Sequence, residues 1–308
     1  MDIHEDGGDS AGGRDFSALP FVRQSHEVTA LSADDFPPLR NPVLVAAFEG
    51  WSDAGEAASY AAGYLTRQWG AMPFVEIDPD EFFDFTEVRP EVSLVDGASR
   101  QILWPATRFS IVRSPNEGPD LVIVRGPEPH FRWRAYTAVM VELAQLLGIE
   151  LVISLGAYLS EVTHGRPVPV NATSSDPELA ERHGLSPSLY EGPTGIVGVL
   201  SAALAEAGVP TMSVWASVPC YSLPTSPKAA LALVRVAARL LERKIDEEEI
   251  SAEAAEYEER MDELVAEDEN VSEYVARIEE MEEAVGSELS AEGLTEEIER
   301  FLRDGRYR

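Results

Sequence analysis

The chain has 308 residues, an apolar fraction of 44% and a formal net charge of −31 at pH 7. This acidity makes nucleic acid a poor partner and excludes an anionic membrane surface, because both are bound through basic faces. No apolar run approaches the roughly 18 residues that a membrane-spanning helix needs. The single cysteine, Cys220, rules out an intrachain disulfide framework and indicates a reducing cytoplasm.

The first 35 residues predict a mostly disordered tail, because their low apolar content cannot offset the entropy of ordering them. The first 15 residues are rich in Gly, Asp and Ser and lack a positive segment followed by an apolar one, so we expect no signal peptide. Residues 19–31 have enough apolar side chains to dock on the core as an edge segment. The expected location of the protein is the cytoplasm.

Four apolar runs each break into a glycine-bearing elbow and continue as a helix-like stretch, which is typical of a parallel α/β sheet. The elbows begin near Glu49, Arg125, Gly156 and Gly192. The predicted strands are 43–48, 74–77, 109–112, 121–125, 151–155 and 211–218, and the predicted helices are 53–68, 133–147, 196–206 and 227–244. Ligands in such sheets bind at the carboxyl ends of the strands, so any site is expected there.

An insertion between two predicted core strands has the pattern of a β-hairpin. Residues 91–95 and 100–104 flank Asp96-Gly97, a favoured turn pair. The apolar side chains that need a partner are Val92, Leu94, Ile102 and Trp104. The sequence leaves two partners open, the rest of the same domain or a second subunit.

The later part of the chain contains a long loop and then an acidic helical segment. Residues 159–176 exceed the roughly 12 residues beyond which a loop is usually functional or mobile. From Asp246 onward the sequence is Glu-rich, with narrow apolar stripes that predict surface helices docked by one face. The sequence leaves three roles open for these helices: a solvated acidic surface, a lid over a pocket, or an interaction arm. The predicted divisions are therefore a tail (1–35), a core (36–245) and an appendage (246–308).

Carboxylates at the strand ends are the strongest candidates for chemistry. If Glu49, Asp53, Glu128 and Glu161 converged, repulsion and burial would raise one pKa and create an acid/base pair. The alternative is structural: Asp53 caps its helix, and Glu128 pairs with Arg132 or Arg134. The candidate ligand pocket consists of Glu49, Gly50, Trp51, Asp53, Gly126, Glu128, Tyr158, Glu161, Arg166, Thr194 and Gly195.

Other chemistry has weaker support in the sequence. No G-x-S-x-G elbow occurs, and Cys220 has no activating neighbour in sequence, so we expect it to pack. The histidines lack the spacing of metal ligands, and we expect hydrogen-bonding roles for His130 and His164 and no metal site. A phosphate-binding Gly-rich loop with lysine is also missing, and no cofactor is expected.

Several separate blocks, in order, resemble the proteasome assembly chaperone 2 (PAC2) family, in particular its actinobacterial branch. The first block is Ala-Phe-Glu-Gly-Trp-Ser-Asp-Ala-Gly at 47–55, and the others lie at 76–78, 84–85, 94–97, 102–105, 125–134, 192–196, 218–221 and 227–230. This resemblance implies a three-layer α/β/α sandwich with a phosphorylase/hydrolase-like core, an oligomer, and no agreed enzymatic activity. Relatives in eukaryotes and archaea act in proteasome assembly.

The chain ends in Gly305-Arg306-Tyr307-Arg308. Tyr307 and Arg308 resemble the tails that proteasome activators insert between α-subunits, although Arg306 replaces the usual hydrophobic residue. Our hypothesis is a non-enzymatic homo-oligomer, trimer or dimer, that contacts proteasome subunits through the hairpin, the acidic helices and this tail. The rival hypothesis is a small-molecule-binding hydrolase or nucleoside-phosphorylase-like protein whose pocket lies at the strand ends under a helical lid.

Overall fold

The computed structural model describes residues 19, 21–24, 38–95, 99–115, 118–187 and 190–288. Within these ranges the strands are β1 (Val22–Gln24), β2 (Val43–Glu49), β3 (Met72–Ile77), β4 (Glu91–Val95), β5 (Ser99–Leu103), β6 (Thr107–Val112), β7 (Leu121–Pro127), β8 (Leu151–Ser160), β9 (Val170–Ser174), β10 (Ser186–Pro187) and β11 (Thr211–Pro219). The helices are α1 (Ala57–Gln68), α2 (Trp133–Leu147), α3 (Pro177–Arg182), α4 (Ile196–Glu206), α5 (Pro227–Leu240), α6 (Glu248–Glu267) and α7 (Glu269–Glu288). None of these helices is both long and apolar enough to cross a membrane.

One large sheet organises the described residues, with the strand order β1-β3-β6-β7-β2-β8-β11-β9-β10. Its centre, β7-β2-β8-β11, is parallel and buried on both faces, which explains the continuous apolar runs of these strands. The strands β1, β3 and β6 on one side are antiparallel to their neighbours. The link from β6 to β7 is too short for a crossover helix, so this pair must be antiparallel.

Helices cover both faces of the sheet, which confirms the three-layer α/β/α sandwich. Helices α1 and α5 lie over one face, where Val45, Leu65 and Val234 belong to one core. Helices α2 and α4 lie over the other face, where Phe48 and Leu143 belong to the second core. Helix α6 packs on the outside of α5, and α7 packs on α6.

Two predicted boundaries differ from the observed ones for reasons of backbone geometry. The helix predicted from residue 53 begins at Ala57, because Gly55 has a φ of +60° in the preceding 3₁₀ turn. A side chain at Gly55 would place its Cβ 2.9 Å from the Cβ of Ser226, so glycine is required there. The helix predicted to reach residue 244 ends at Leu240, before Glu242 at a φ of +48°.

The prediction of one continuous loop over 159–176 is wrong. Strand β8 continues to Ser160, and β9 pairs antiparallel with β11, so only residues 161–169 connect them. The run Val-Asn-Ala-Thr-Ser of β9 alternates apolar and polar residues and buries Ala172, but this signal covers only five residues and the loop prediction missed it. Its neighbour β11 supplies the hydrogen bonds that define it, and that partnership is a tertiary property.

Candidate functional site

The elbow after β7 places the Glu128 carboxylate at the start of α4. The Glu128 backbone N–H donates to the Glu49 carbonyl at 2.9 Å, which fixes the two elbows together. The Ile196 backbone N–H then donates to Glu128 Oε1 at 2.6 Å. A helix N-terminus favours an anion, and here the protein's own carboxylate fills that position. The structural alternative for Glu128 was a pair with Arg132 or Arg134; the structure shows this cap instead, and Arg132 pairs with Glu81.

Gly195 allows three elbows to meet at this point. A Cβ at Gly195 would lie 2.7 Å from both Glu128 Oε1 and Ser52 Oγ, and 3.0 Å from Trp51 Cε3. Any larger residue would therefore displace the Glu128 carboxylate from α4. Gly50 also lies against Glu128, because a Cβ there would be 3.5 Å from the Glu128 Cβ. We call Gly50, Trp51, Ser52, Glu128 and Gly195 the elbow cluster.

Asp53 holds the start of α1. Its Oδ1 accepts hydrogen bonds from the backbone N–H groups of Ala58 at 2.7 Å and Ser59 at 3.1 Å. Burial raises the pKa of the Asp53 carboxyl, and the hydrogen bonds from Ser59 and Ala58 oppose that rise. Asp53 therefore has the capping role that the sequence left as its structural alternative.

Glu49 and Gly126 line a separate cleft of about 470 Å³ between the sheet and the base of the hairpin. No other residue of the predicted pocket lines this cleft. Burial raises the pKa of the Glu49 carboxyl, and the positive charge of Arg125 opposes this effect. Glu49 is thus directed to a different space from the Glu128 carboxylate that follows the neighbouring strand.

Tyr158 belongs to a third group, on β8. Its hydroxyl oxygen accepts hydrogen bonds from Asn171 Nδ2 at 2.8 Å and from Ser217 Oγ at 3.0 Å. Its ring lies 6.5 Å from the ring of Trp215, between centroids. Thr194 is exposed and lies immediately before the elbow glycine Gly195.

The loop after β8, which contains Glu161 and Arg166, faces the acidic helices. In this loop His164 is buried and hydrogen-bonds with the Tyr221 hydroxyl through Nδ1 at 2.8 Å and with Asp262 Oδ1 of α6 through Nε2 at 2.9 Å. Lys228 Nζ donates to the His164 carbonyl and pairs with Glu258 of α6. The loop therefore anchors α6. The sequence could not show this role, because the side chains that contact His164 are far from it along the chain.

The other predicted chemical groups also have protein partners. The Asp84 backbone N–H donates to His130 Nδ1 at 3.2 Å, and Cys220 Sγ donates to the Ser160 carbonyl at 3.4 Å. Cys220 is exposed, so the expectation that it packs in the interior is wrong. Both histidines singled out in the sequence thus form hydrogen bonds. Over the residues that the structure describes, no group of three or more His, Cys, Asp or Glu side chains is placed to hold a metal ion.

The predicted pocket residues accordingly divide into groups. The structure brings Gly50, Trp51, Glu128 and Gly195 together and places Glu49 with Gly126, while Tyr158, Glu161 and Arg166 lie in separate surroundings. Asp53 caps α1, and its negative charge contributes to the raised pKa of Glu49. The helices α6 and α7 contribute no residue to the cleft that Glu49 lines. Contact between any of these residues and a ligand stays a prediction.

The hairpin carries its apolar side chains outside the protomer. Val92 is 57% exposed, Leu94 61%, Ile102 46% and Trp104 42%. Strands β4 and β5 pair with each other, with Val92 opposite Ile102, and form a sheet distinct from the nine-stranded one. Trp104 alone has a ring partner, Phe85, at 5.0 Å between centroids. The predicted turn Asp96-Gly97 and the predicted tail Tyr307-Arg308 lie outside the described residues.

The acidic helices dock by a narrow apolar stripe, as their sequence predicted. In α6 the buried residues are Ile250, Ala254, Tyr257 and Met261, and in α7 they are Val275 and Ile278. The Tyr257 hydroxyl hydrogen-bonds with Ser222 Oγ at 2.7 Å in the loop after β11. The remainder of the predicted acidic appendage, residues 289–308, lies outside the described residues.

Comparison with known proteins identifies relatives. The model of the PAC2 family matches residues 47–265, from the end of β2 into α6. A PAC2 family protein from Streptomyces avermitilis has 47% sequence identity, with a TM-score of 0.70 and coverage of 76% of this chain and 99% of that one. A proteasome-assembly chaperone homologue from Mycobacterium tuberculosis has 41% identity, a TM-score of 0.68 and the same coverage of 76% and 99%.

A more distant structure shows the same fold. The archaeal proteasome activator PbaB from Pyrococcus furiosus has 20% identity, a TM-score of 0.62 and coverage of 75% of this chain and 96% of that one. At this identity the likeness extends to the fold alone. Among curated proteins no significant match to the chain is found.

Proposed function

Because this chain belongs to the PAC2 family, we propose that it is a cytoplasmic homo-oligomer that acts through protein–protein contacts, with proteasome subunits as partners. The observation that carries this proposal is the exposed apolar hairpin formed by β4 and β5. The comparisons support the chaperone-like role, since relatives include a proteasome-assembly chaperone homologue.

The hairpin needs a partner for physical reasons. A two-stranded hairpin is marginally stable by itself in water, and this one has no sheet neighbour among the described residues. Burying a large apolar side chain contributes about 1.5–3 kcal/mol. Val92, Leu94 and Ile102 are clustered on one face, so a second subunit that covered them would gain several such contributions. The contact we propose is therefore between copies of this chain, with Trp104 at its base.

Two further elements are proposed to contact the partner. The outward faces of α6 and α7 present carboxylates that are not used in docking, which suits a basic surface. Tyr307 and Arg308 are proposed to bind between proteasome α-subunits, an inference that rests on sequence resemblance.

The oligomer contact is tested by charging the hairpin. We expect Leu94→Asp to lower the mass measured by light scattering to that of a monomer, because the carboxylate would have to be buried. Leu159→Asp is the matched control, because Leu159 is 59% exposed and lies at the end of β8. An unchanged mass for Leu94→Asp would remove the hairpin from the interface.

The partner is tested separately with purified proteasome core particle from the same source. Full-length protein is expected to bind the particle in a pull-down, and protein without Tyr307-Arg308 is expected to lose that binding. Binding by both forms would relocate the contact to other elements, such as α6 and α7. No binding by either form would overturn the proteasome as partner while leaving the oligomer result intact.

The rival enzymatic hypothesis receives less support from the geometry. It requires several carboxylates in one closed pocket. Glu128 caps α4 and Asp53 caps α1, so two of them already have structural roles. Glu161 lies beside the acidic helices, remote in sequence and in packing from the Glu49 cleft.

A further inference from the structure

On the α1 side of the sheet, one corner of the described fold is covered by the base of the hairpin together with the end of α1. Helix α1 packs against the central strands, and the face of β3 and β6 on that side carries polar side chains, including Glu76, Arg108 and Ser110. The opposite face of the same strands carries Phe74 and Phe109 in the second core. The polar side chains Glu76 and Ser110 on the α1 side are nevertheless buried. The hairpin base closes over the corner and creates the cleft of about 470 Å³.

The lining of this cleft has an unusual charge for this chain. It contains the three arginines Arg89, Arg108 and Arg125, and the two glutamates Glu49 and Glu91. The cleft is therefore net positive by one charge, in a protein whose net charge is −31. A guanidinium presents paired N–H donors that match a carboxylate, and it retains its charge at all ordinary pH values.

Two of the arginines are held in place by the surrounding fold. Arg108 Nη2 donates to the Trp104 carbonyl at 3.1 Å, and Arg108 Nε lies 3.8 Å from Glu76 Oε2. Glu76 is itself 2% exposed and accepts from Arg23 Nε at 2.8 Å. This chain of contacts fixes the orientation of Arg108 before any ligand arrives.

Arg125 is positioned by a glycine on α1. A Cβ at Gly63 would lie 3.2 Å from Arg125 Nη2 and 3.3 Å from its Cζ, so an α1 side chain at this position would crowd the guanidinium. The Arg125 guanidinium therefore packs against α1 at Gly63, and Arg125 also lines the cleft. The positive charge on Arg125 acts directly on Glu49, whose carboxyl shares the cleft.

We propose that this cleft binds a carboxylate attached to a small apolar group. Arg108 and Arg125 contact the carboxylate, and Leu103 and Trp104 at the hairpin base contact the apolar group. The volume is in the range of small-molecule sites, which is about 300–1,000 Å³. Glu49 and Glu91 disfavour a multiply charged phosphate in the same space. The ligand is therefore singly charged, and it comes either from a peptide C-terminus or from a free carboxylic acid.

This inference goes beyond the proposed oligomeric function, and its test uses residues outside the apolar face of the hairpin. Isothermal titration calorimetry of the full chain would use N-acetyl-Ala-Leu with a free carboxylate, the same peptide as its C-terminal amide, isovalerate and inorganic phosphate. The free peptide is expected to bind roughly tenfold more tightly than the amide, because charge-assisted hydrogen bonds are lost in the amide. Equal binding of peptide and amide, no binding of either carboxylate, or tighter binding of phosphate would overturn the proposal.

The two sources are separated by the same titrations. Free peptide that binds more tightly than isovalerate identifies a peptide C-terminus, and equal or tighter isovalerate identifies a small acid. Both outcomes support carboxylate recognition.

Three variants assign the binding to the cleft. Arg125→Gln is expected to weaken binding of the free peptide roughly tenfold or more. Arg239→Gln is the control, because Arg239 lies on the exposed side of α5, and it is expected to leave the affinity unchanged. Glu49→Gln is expected to tighten binding severalfold, because it removes a carboxylate that competes for the same arginines. If Arg125→Gln does not fold, Glu49→Gln decides: tighter binding supports the cleft and unchanged affinity overturns it.

Discussion

The β4–β5 hairpin and helix α6 are both proposed to contact partners, but the hairpin exposes its apolar side chains and α6 buries them. The β4–β5 hairpin leaves Val92, Leu94 and Ile102 in solvent and, within the part of the chain that the structure describes, makes no sheet contact outside itself. Helix α6 buries Tyr257 and Met261 against α5 and the strand-end loops, and exposes carboxylates. A hairpin of this kind suits an apolar interface between subunits, while α6 suits a charged contact on a surface that is already anchored.

The difference also concerns what anchors each element. Helix α6 is held by contacts from several parts of the core, which include Tyr60 with Glu253, His164 with Asp262, and Lys228 with Glu258. The hairpin has the Trp104 and Phe85 ring contact at its base. We therefore expect substitutions in α6 to change the stability of the protomer, and substitutions in the hairpin to change association.

The largest expected effect is in the α6 stripe. Met261→Ala should lower the free energy of unfolding by about 2–5 kcal/mol, because Met261 is fully buried and the change leaves a cavity. Leu94→Ala should change it by no more than about 0.5 kcal/mol, since Leu94 is 61% exposed. Urea unfolding of both variants, at protein concentrations that separate subunit dissociation from unfolding, measures the contrast. Equal losses would show that the hairpin is part of the protomer core.

A smaller effect is expected where the loop after β8 meets α6. His164→Ala removes hydrogen-bond partners from Tyr221 and Asp262 and should destabilise α6 docking by about 1–3 kcal/mol. Hydrogen exchange of the α6 amides is the measurement, and faster exchange confined to α6 and α7 is expected. His130→Ala is the matched control, since His130 is exposed and contacts Asp84 on the opposite side of the core. Unchanged α6 exchange would contradict an anchoring role.

The smallest effect is expected from Tyr60, which attaches α6 to α1. The pKa of Tyr60 is raised from 10.0 to about 12, mainly by burial and secondly by the hydrogen bond to Glu253. A hydroxyl whose folded-state pKa is raised stabilises the fold fully below the unfolded pKa and loses that contribution as the pH rises through the folded pKa. Tyr60→Phe should cost about 0.5–1.5 kcal/mol below pH 10 and should reduce the loss of stability between pH 10 and 12.

The alkaline titration has a control in Tyr190→Phe, which removes a hydroxyl that donates to the Pro193 carbonyl in the loop before α4. This variant should retain the wild-type slope of stability against pH between 10 and 12. Parallel curves for Tyr60→Phe and wild type would show that the hydroxyl contributes nothing to α6 docking.

The sequence predicted that candidate site residues lie at the ends of strands, but it did not predict which of them come together. The elbows after β2 and β7 were identified because glycine and carboxylates follow apolar runs, and the structure places Glu49 and Glu128 there. These two carboxylates, at the ends of adjacent strands, face different spaces. Glu128 caps α4, and Glu49 lines the cleft. The arginines of the cleft come from β6, β7 and the segment before β4, and no spacing in the sequence connects them.

The sequence by itself determined the elements that depend on local patterns. Helices α2 and α4 have the predicted bounds, because apolar periodicity and glycine at their ends are local signals. The tertiary structure alone decided that β3 pairs antiparallel with β6, that β9 pairs antiparallel with β11, and that His164 joins Asp262 across 98 positions of the chain. These features depend on which segments become neighbours after folding, and that is settled by the burial of the whole sheet and its helices.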